Sequence, residues 1–409
     1  MNENCSLIIC GDENMPNLKE MMKNVIFTGY NLSSHFIPVK NNVIMFESSN
    51  GRNYTGNPRY IYEEIVKQGL DKEYKCVWSL QNPEIEIPGN CEKIKRSRLK
   101  FLYYSLRSRF WIFDSRHQYY LKKSKNTKYI QTWHGTPLKK LALDMDKVNM
   151  SGHQDIEEYK EKFKESTSVW DYLISQNSYS SEIFKRAFAF KGEMLEIGYP
   201  RNDILVNENN ETKINEIKNK LGIDKNKKII LYAPTWRDNE FHQSGIYKFA
   251  TEMDFKAMED ALSNDYILIV KFHYLVKDQI NWEDYNNFII ECNEMWDIQE
   301  LYLISDILIT DYSSVMFDYA LLNRPILFFT YDLEFYKDNL RDFYFDINTV
   351  PGPLIETTEE LINFIKNNTE EEYFKKYNDK YQAFREKYNE FDDGKASENI
   401  IKLIINNNH

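Results

Sequence analysis

The stretch that most constrains the fold of this 409-residue chain runs from Leu301 to Tyr319 and reads LYLISDILITDYSSVMFDY. Asp306 to Thr310 is an almost continuous apolar run, which suits a strand buried on both faces of a parallel sheet. The pattern then breaks at Asp311, Tyr312, Ser313 and Ser314, residue types of turns and helix starts, and Val315, Met316, Tyr319, Ala320 and Leu322 resume at helical spacing. A strand that stops at paired serines opening a helix aims free backbone N–H groups and two hydroxyls at one point, where a phosphate fits. Ordinary capping of the helix accounts for the same serines, and both readings stand at this stage. Asp318, four residues beyond Ser314, falls on the same helix face. An acid there repels phosphate but accepts hydrogen bonds from hydroxyls, so the pair suits a ligand carrying both.

Other junctions follow the same plan. Strands are predicted at 43–46, 75–80, 91–94, 109–114, 127–132 and 172–175, with helices from 57 to about 68, at 98–107 and at 180–188. A Lys- and Asn-rich stretch from about 207 to 228 opens a second series, with strands at 228–232, 266–271, 289–291 and 325–329. Two helices, from 359 to about 387 and from 397 to 405, close the chain. This alternation predicts an α/β protein of two Rossmann-like domains facing a cleft. The expected division is an N-terminal appendage over 1–40, a first domain over 41–206 and a second over 207–409.

Residues 129–140, YIQTWHGTPLKK, again carry a strand into a turn. Gly135 permits close backbone approach, Thr136 can cap, and Pro137 suits a first helical turn. His134 is thereby expected at the carboxyl end of a strand, where open α/β sheets hold ligands, with a buried structural histidine as the alternative. Further strand ends contribute Arg237, after Ala233-Pro234-Thr235-Trp236, and His273. Two histidines, an arginine and a helix start can bind a diphosphate without a metal, and either histidine can take a proton from an attacking hydroxyl. Neither a metal nor a cofactor is expected. The one Asp-x-Asp spacing, Asp144-Met145-Asp146, reads as a helix end or loop, and no GxxxxGK[ST] phosphate loop is present, which argues against ATP or GTP hydrolysis.

Charge is distributed unevenly. Residues 93–140 hold fourteen bases against the single acid Asp114, a net of +13 in a chain of total charge −11, so the remainder carries −24. Aromatics are interleaved in that segment (Phe101, Tyr103, Tyr104, Phe110, Trp111), a combination suited to an anionic membrane surface or a phosphate-rich polymer. Nucleic acid ranks lower, because the acidic remainder repels a long polyanion. Five scattered cysteines, none spaced as CxxC, argue against a disulfide framework and a zinc site and fit a reducing compartment. No apolar run has the length of a membrane span or a signal peptide core, so the expected location is the cytoplasm or the cytoplasmic face of the membrane.

The blocks FESSNGRNYTGNPRYIY (from Phe46), QTWHGTPLKKL (from Gln131), EIGYPRND (from Glu196), LYAPTWRD (from Leu231) and SDILITDYSSVMFDYALLNRPILF (from Ser305) resemble the CDP-glycerol glycerophosphotransferase family of teichoic acid synthesis. The matches run in order from about Val43 to Pro353. The resemblance implies a two-domain fold of the glycosyltransferase B type, a CDP-glycerol donor or related CDP-polyol, and a lipid-linked or polymeric hydroxyl acceptor, with CMP as leaving group. It implies His134 as base and His273 as a second essential histidine. Arg237, Ser313 and Ser314 would hold phosphates and Asp318 donor hydroxyls, with Gly135, Thr136 and Asp311 also binding substrate, while the basic stretch would dock on anionic lipid or polymer. The chain departs from the family pattern at Tyr274-Leu275 and at Asp342. Competing readings are a CMP-sugar glycosyltransferase of the same fold, a CDP-ribitol-using transferase, and a catalytically silent binder of anionic polymer.

Overall fold

The computed structural model describes residues 16–118, 120–147, 155–235, 241–243, 246–247, 252–272, 281–285, 288–333, 343–344 and 346–407. Its first sheet contains seven parallel strands: β1 (Lys40–Glu47), β2 (Lys75–Leu80), β3 (Cys91–Lys95), β4 (Ser108–Phe113), β5 (Lys128–Gln131), β6 (Tyr172–Ser175) and β7 (Glu193–Glu196). They lie in the order β3-β2-β1-β4-β5-β6-β7. Alternate residues of one strand face opposite layers. Val43 and Met45 of β1 enter one apolar cluster with Val77, Trp111 and Trp133, whereas Ile44 and Phe46 enter another with Trp78, Ile61 and Ile174. Burial on both faces is why these strands read as nearly unbroken apolar runs.

The second sheet is built from β8 (Lys228–Tyr232), β11 (Tyr266–Val270), β12 (Ile289–Glu291), β13 (Ile307–Thr310), β14 (Ile326–Phe329) and β15 (Leu354–Ile355). A short antiparallel pair, β9 (Phe241–Gln243) and β10 (Ile246–Tyr247), stands apart from it. The order β12-β11-β8-β13-β14-β15, all parallel, repeats the pattern of the first sheet when its strands are counted along the chain. In both sheets the order reverses beside the first strand, and such switch points open a crevice at the carboxyl ends of the strands.

Helices complete each unit. Pro16–Phe36 precedes β1 and docks through buried Tyr30 and through Asn31, whose amide donates to the Tyr120 carbonyl at 3.0 Å and accepts from Lys122 N at 2.9 Å. The closing region holds three helices where the sequence suggests two. Thr358–Asn367 stops at Asn368, and Thr369 starts Glu370–Tyr388 through a reciprocal capping box with Glu372. The last helix, Ala396–Asn406, returns to the first sheet, packing Ile400, Ile401 and Ile404 beside Ile44 and Phe46. Asp203 holds its start, accepting from Ala396 N at 3.1 Å and Ser397 N at 2.8 Å. Among the described residues no helix is long and apolar enough to cross a membrane.

Candidate active site

The first wall of the cleft is assembled where β1, β4 and β5 end. After β1 the backbone turns through three left-handed residues, Ser49, Asn50 and Gly51, with φ of 49°, 56° and 78°. Gly51 is required there because a side chain would meet Arg96 at 3.0 Å and the Ser79 carbonyl at 3.1 Å. This turn delivers the Ser48 hydroxyl and the Ser49 N–H to the carboxylate of Asp114, at 2.9 and 2.8 Å, just past the end of β4. The backbone carbonyl of the same Asp114 lies 3.1 Å from Nδ1 of His134.

A carbonyl only accepts, so Nδ1 carries the proton and Nε2 keeps its lone pair. His134 is exposed on the cleft and its ring stacks on Trp133 with centroids 4.4 Å apart. Withdrawal from bulk water among the surrounding loops pushes its pKa below the ordinary histidine range; Asp114 opposes that shift and the positive charge of Arg201 reinforces it. The imidazole is therefore a neutral base near pH 7. Trp133 stands at φ 53°, in the left-handed region that a bulky residue rarely occupies. Asn57 secures it, its Nδ2 donating to the carbonyls of Thr132 at 3.1 Å and Trp133 at 3.0 Å.

The helix expected after Thr136 does not form. Thr136 instead points inward, donating its hydroxyl to Gln176 Oε1 at 2.6 Å, and the chain runs on as a loop that bridges to Phe343 through Lys139. A buried acceptor close to Thr136 outcompetes the capping role.

The opposite wall comes from β13. Asp311, at its end, is buried and accepts from Thr235 N at 2.8 Å, tying the turn after β8 to the switch point. Ser313 and Ser314 follow, half-buried, ahead of the short helix Val315–Tyr319. Ser314 occupies the cap position without capping through its side chain, and Ser313 Oγ is a distant 3.5 Å from Val315 N. Simple capping thus does not account for these hydroxyls. Gly135 brings the walls together: a Cβ there would meet Ser314 Oγ at 3.1 Å.

Asp318 departs from the expected geometry. It is buried and turned into the seam between the domains, accepting from Arg201 Nη2 at 2.5 Å and Asn202 Nδ2 at 3.1 Å. Arg201 also donates through Nη1 to the His134 carbonyl at 2.8 Å and through its backbone N–H to Asn57 at 3.1 Å. Burial alone pulls the Arg201 guanidinium down, but Asp318, with Tyr199, Tyr302 and Asp297, together more than offset it and keep it charged. Arg201, Asn57 and Asp114 brace the candidate site, and none of them stands among the site residues the sequence suggests. The first two lie inside the Gly-Tyr-Pro-Arg-Asn and Asn-Pro-Arg blocks, and an arginine directly after a Gly-Tyr-Pro turn is the signal the sequence offers. Asp144 and Asp146 are engaged by Arg186 at 2.8 Å and Lys140 at 2.9 Å. Arg237, His273 and Asp342 lie outside the described residues.

The expected basic face is divided. Arg96 pairs with Glu47 at 3.1 Å, Lys123 with Asp171 at 2.7 Å and Lys100 with Glu92 at 3.0 Å, while Lys93 reaches the Ile85 carbonyl at 3.0 Å.

Two switch points opposed across a cleft, one offering a neutral histidine and the other paired serine hydroxyls, define a two-domain α/β transferase of the glycosyltransferase B type. Residues 30–406 match the family CDP-Glycerol:Poly(glycerophosphate) glycerophosphotransferase, and the chain belongs to that family. It is a transferase of teichoic acid synthesis whose donor is CDP-glycerol. The teichoic acid poly(glycerol phosphate) polymerase of Bacillus spizizenii is 45% identical over 375 residues, covering 90% of this chain and 93% of that one. The Bacillus subtilis protein of the same name is also 45% identical over 90% of this chain, which spans 49% of that longer relative. The solved structure of the wall teichoic acid polymerase TagF superposes with a TM-score of 0.88 at 41% identity, covering 95% of this chain and 96% of that one. The family resemblance, the two-domain architecture and the enzyme class read from the sequence all hold.

Proposed function

We propose that this transferase uses His134 as general base to move glycerol phosphate from CDP-glycerol onto a hydroxyl of a lipid-linked glycan or a growing poly(glycerol phosphate) chain. The observation that carries the reading is the anchored His134 ring, with Nδ1 held by the Asp114 carbonyl and the basic Nε2 left for the cleft, opposite the hydroxyl of Ser314. The acceptor oxygen attacks the phosphorus bearing glycerol, its proton passes to His134, and the P–O bond to CMP breaks. Hydroxyls of Ser313 and Ser314 and the N–H groups behind them would take the charge gathering on the departing CMP phosphate. Arg237 and His273 are assigned to the donor diphosphate on family resemblance alone. Asp311 would act by holding the Thr235 turn. Asp318, with its carboxylate engaged by Arg201 and Asn202, would hold the seam in place of donor hydroxyls.

The enzyme would work in the cytoplasm, peripherally on the inner membrane surface, where a lipid-linked acceptor is presented. Helix Pro16–Phe36 exposes Met21, Met22, Val25, Ile26, Leu32 and Phe36, and the helix Leu99–Arg107 exposes Leu99 and Tyr103. Apolar residues of this kind beside Lys95 and Arg98 suit an anionic bilayer interface.

The deciding experiment is CMP release, in the presence of EDTA, from CDP-glycerol, CDP-ribitol and a CMP-sugar, each with a lipid-linked acceptor analogue. Release from CDP-glycerol is expected. Release from the CMP-sugar alone would overturn the reaction, and loss of release in EDTA would overturn the metal-free chemistry.

A further inference from the structure

The helix Gly56–Lys67 has no cap of its own, because Thr55 stands at the cap position and its side chain bonds no N–H group of the first turn. The carboxylate of Asp297, from the second domain, takes that place. It is buried, and it accepts from Gly56 N at 3.1 Å and from the Tyr60 hydroxyl at 3.3 Å, while Arg59 of the same turn reaches Glu300 at 3.2 Å. The same carboxylate caps its own helix, Ile298–Ile304, by accepting from Gln299 N at 3.0 Å. One acid thus serves two helix starts, one in each domain, and negative charge is favourable at both.

Between Gly56 and Tyr60 stands Asn57, fully buried, with both N–H donors and the oxygen of its amide engaged. Nδ2 donates to the Thr132 carbonyl at 3.1 Å and the Trp133 carbonyl at 3.0 Å, and Oδ1 accepts from Arg201 N at 3.1 Å. Arg201 Nη1 in turn donates to the His134 carbonyl at 2.8 Å. Three successive carbonyls are therefore held by Asn57 and by the arginine whose backbone Asn57 holds. The grip falls on the turn where Trp133 stands at φ 53°, a conformation that a bulky residue keeps only when its surroundings impose it. His134 follows directly, so relaxation of this turn takes its ring away from the Asp114 carbonyl, 3.1 Å from Nδ1.

We propose that Asn57 is the positioning residue for His134 and that the trans cap from Asp297 holds Asn57 in place, so that the base is aligned only while the second domain is docked on the first. This rests on the reading of His134 as base and adds to it the part played by the second domain.

The test compares the wild type with Asn57→Ala, Asp297→Ala and the double variant. CMP release gives kcat, titration gives CDP-glycerol affinity, and carbethoxylation of His134 by diethyl pyrocarbonate, followed by mass spectrometry against pH, reads the ring without turnover, since only neutral imidazole reacts. Asn57→Ala is expected to lower kcat by about tenfold or more with donor affinity unchanged. The carbethoxylation midpoint should rise toward the ordinary histidine range as the ring gains water, with Asp114 and Arg201 the charged groups facing it. Asp297→Ala is expected to shift kcat and midpoint in the same directions, and the double variant to lose no more than Asn57→Ala alone, because the two act in one chain. Removing the Asp297 charge without disturbing the turn would lower the midpoint instead, so a fall, no shift in either single variant, or additive losses in the double would each overturn the proposal. Where Asn57→Ala does not fold, the midpoint in Asp297→Ala decides alone. Full turnover in His134→Ala would overturn the base reading, and the midpoints would still decide whether Asn57 and Asp297 set the ring.

Discussion

His134 illustrates how much chemistry one backbone acceptor can decide. The Asp114 carbonyl sets the tautomer, and Arg201 and the enclosing loops keep the ring neutral. His134→Ala is expected to lower CMP release by ~100-fold or more while leaving CDP-glycerol affinity nearly unchanged, because it removes proton transfer but little binding. The sign of the pH dependence follows from the lowered pKa. The free base persists to lower pH than in an ordinary histidine, so the acid limb of kcat/KM belongs below the usual histidine value. Arg201→Met, by removing a positive neighbour, moves that limb to higher pH; a limb that stays put would show that Arg201 does not act on His134. Ser314→Ala is expected to weaken donor affinity by about 1–3 kcal/mol, read from CDP-glycerol titration, because a charged phosphate loses a donor. At this scale the sequence reveals residue types at strand ends but not their partners. Asp318 lies four residues from Ser314, as helical spacing requires, yet its carboxylate turns away to Arg201, a contact between positions 117 residues apart.

Elements were legible where burial on two faces writes apolar runs, as in β8 (KIILY) and β13 (ILIT), and less so where local and tertiary preferences compete. Thr136 and Pro137 carry helix-start chemistry, but the buried amide of Gln176 captures the threonine hydroxyl and the segment stays a loop. The break at Asn368 is masked in the sequence because apolar and acidic residues continue on either side of it. Thr369 and Glu372 nevertheless supply a complete capping box, and Thr369→Ala is expected to cost about 1 kcal/mol, measured as a lower urea midpoint. No change in midpoint would mean that tertiary packing alone holds that helix.

Across the whole molecule the two sheets are joined by buried polar contacts as well as by the covalent chain. Asp297 of the second unit accepts from Gly56 N at 3.1 Å and the Tyr60 hydroxyl at 3.3 Å, Arg59 donates to Glu300 at 3.2 Å, and Arg201 meets Asp318 at 2.5 Å. The last helix adds apolar contact by crossing back to the first sheet. Asp318→Asn leaves the buried Arg201 without its counter-charge and is expected to destabilise the protein by roughly 3–5 kcal/mol. Both sheets are then expected to unfold in one shifted transition, followed by fluorescence and by far-UV circular dichroism in urea; two separated transitions would show that the seam does not couple them. By itself the sequence determined that this is a two-unit α/β transferase of the glycerophosphotransferase family, because doubly buried strands and strand-end motifs are local patterns that survive in linear order. Only the tertiary structure decided which groups share a site, that the Asp114 carbonyl directs His134, and that Asp318 bonds Arg201 and Asn202 at the seam. Those outcomes depend on which distant charges and carbonyls the fold brings within hydrogen-bond distance, and spacing along the chain does not encode them.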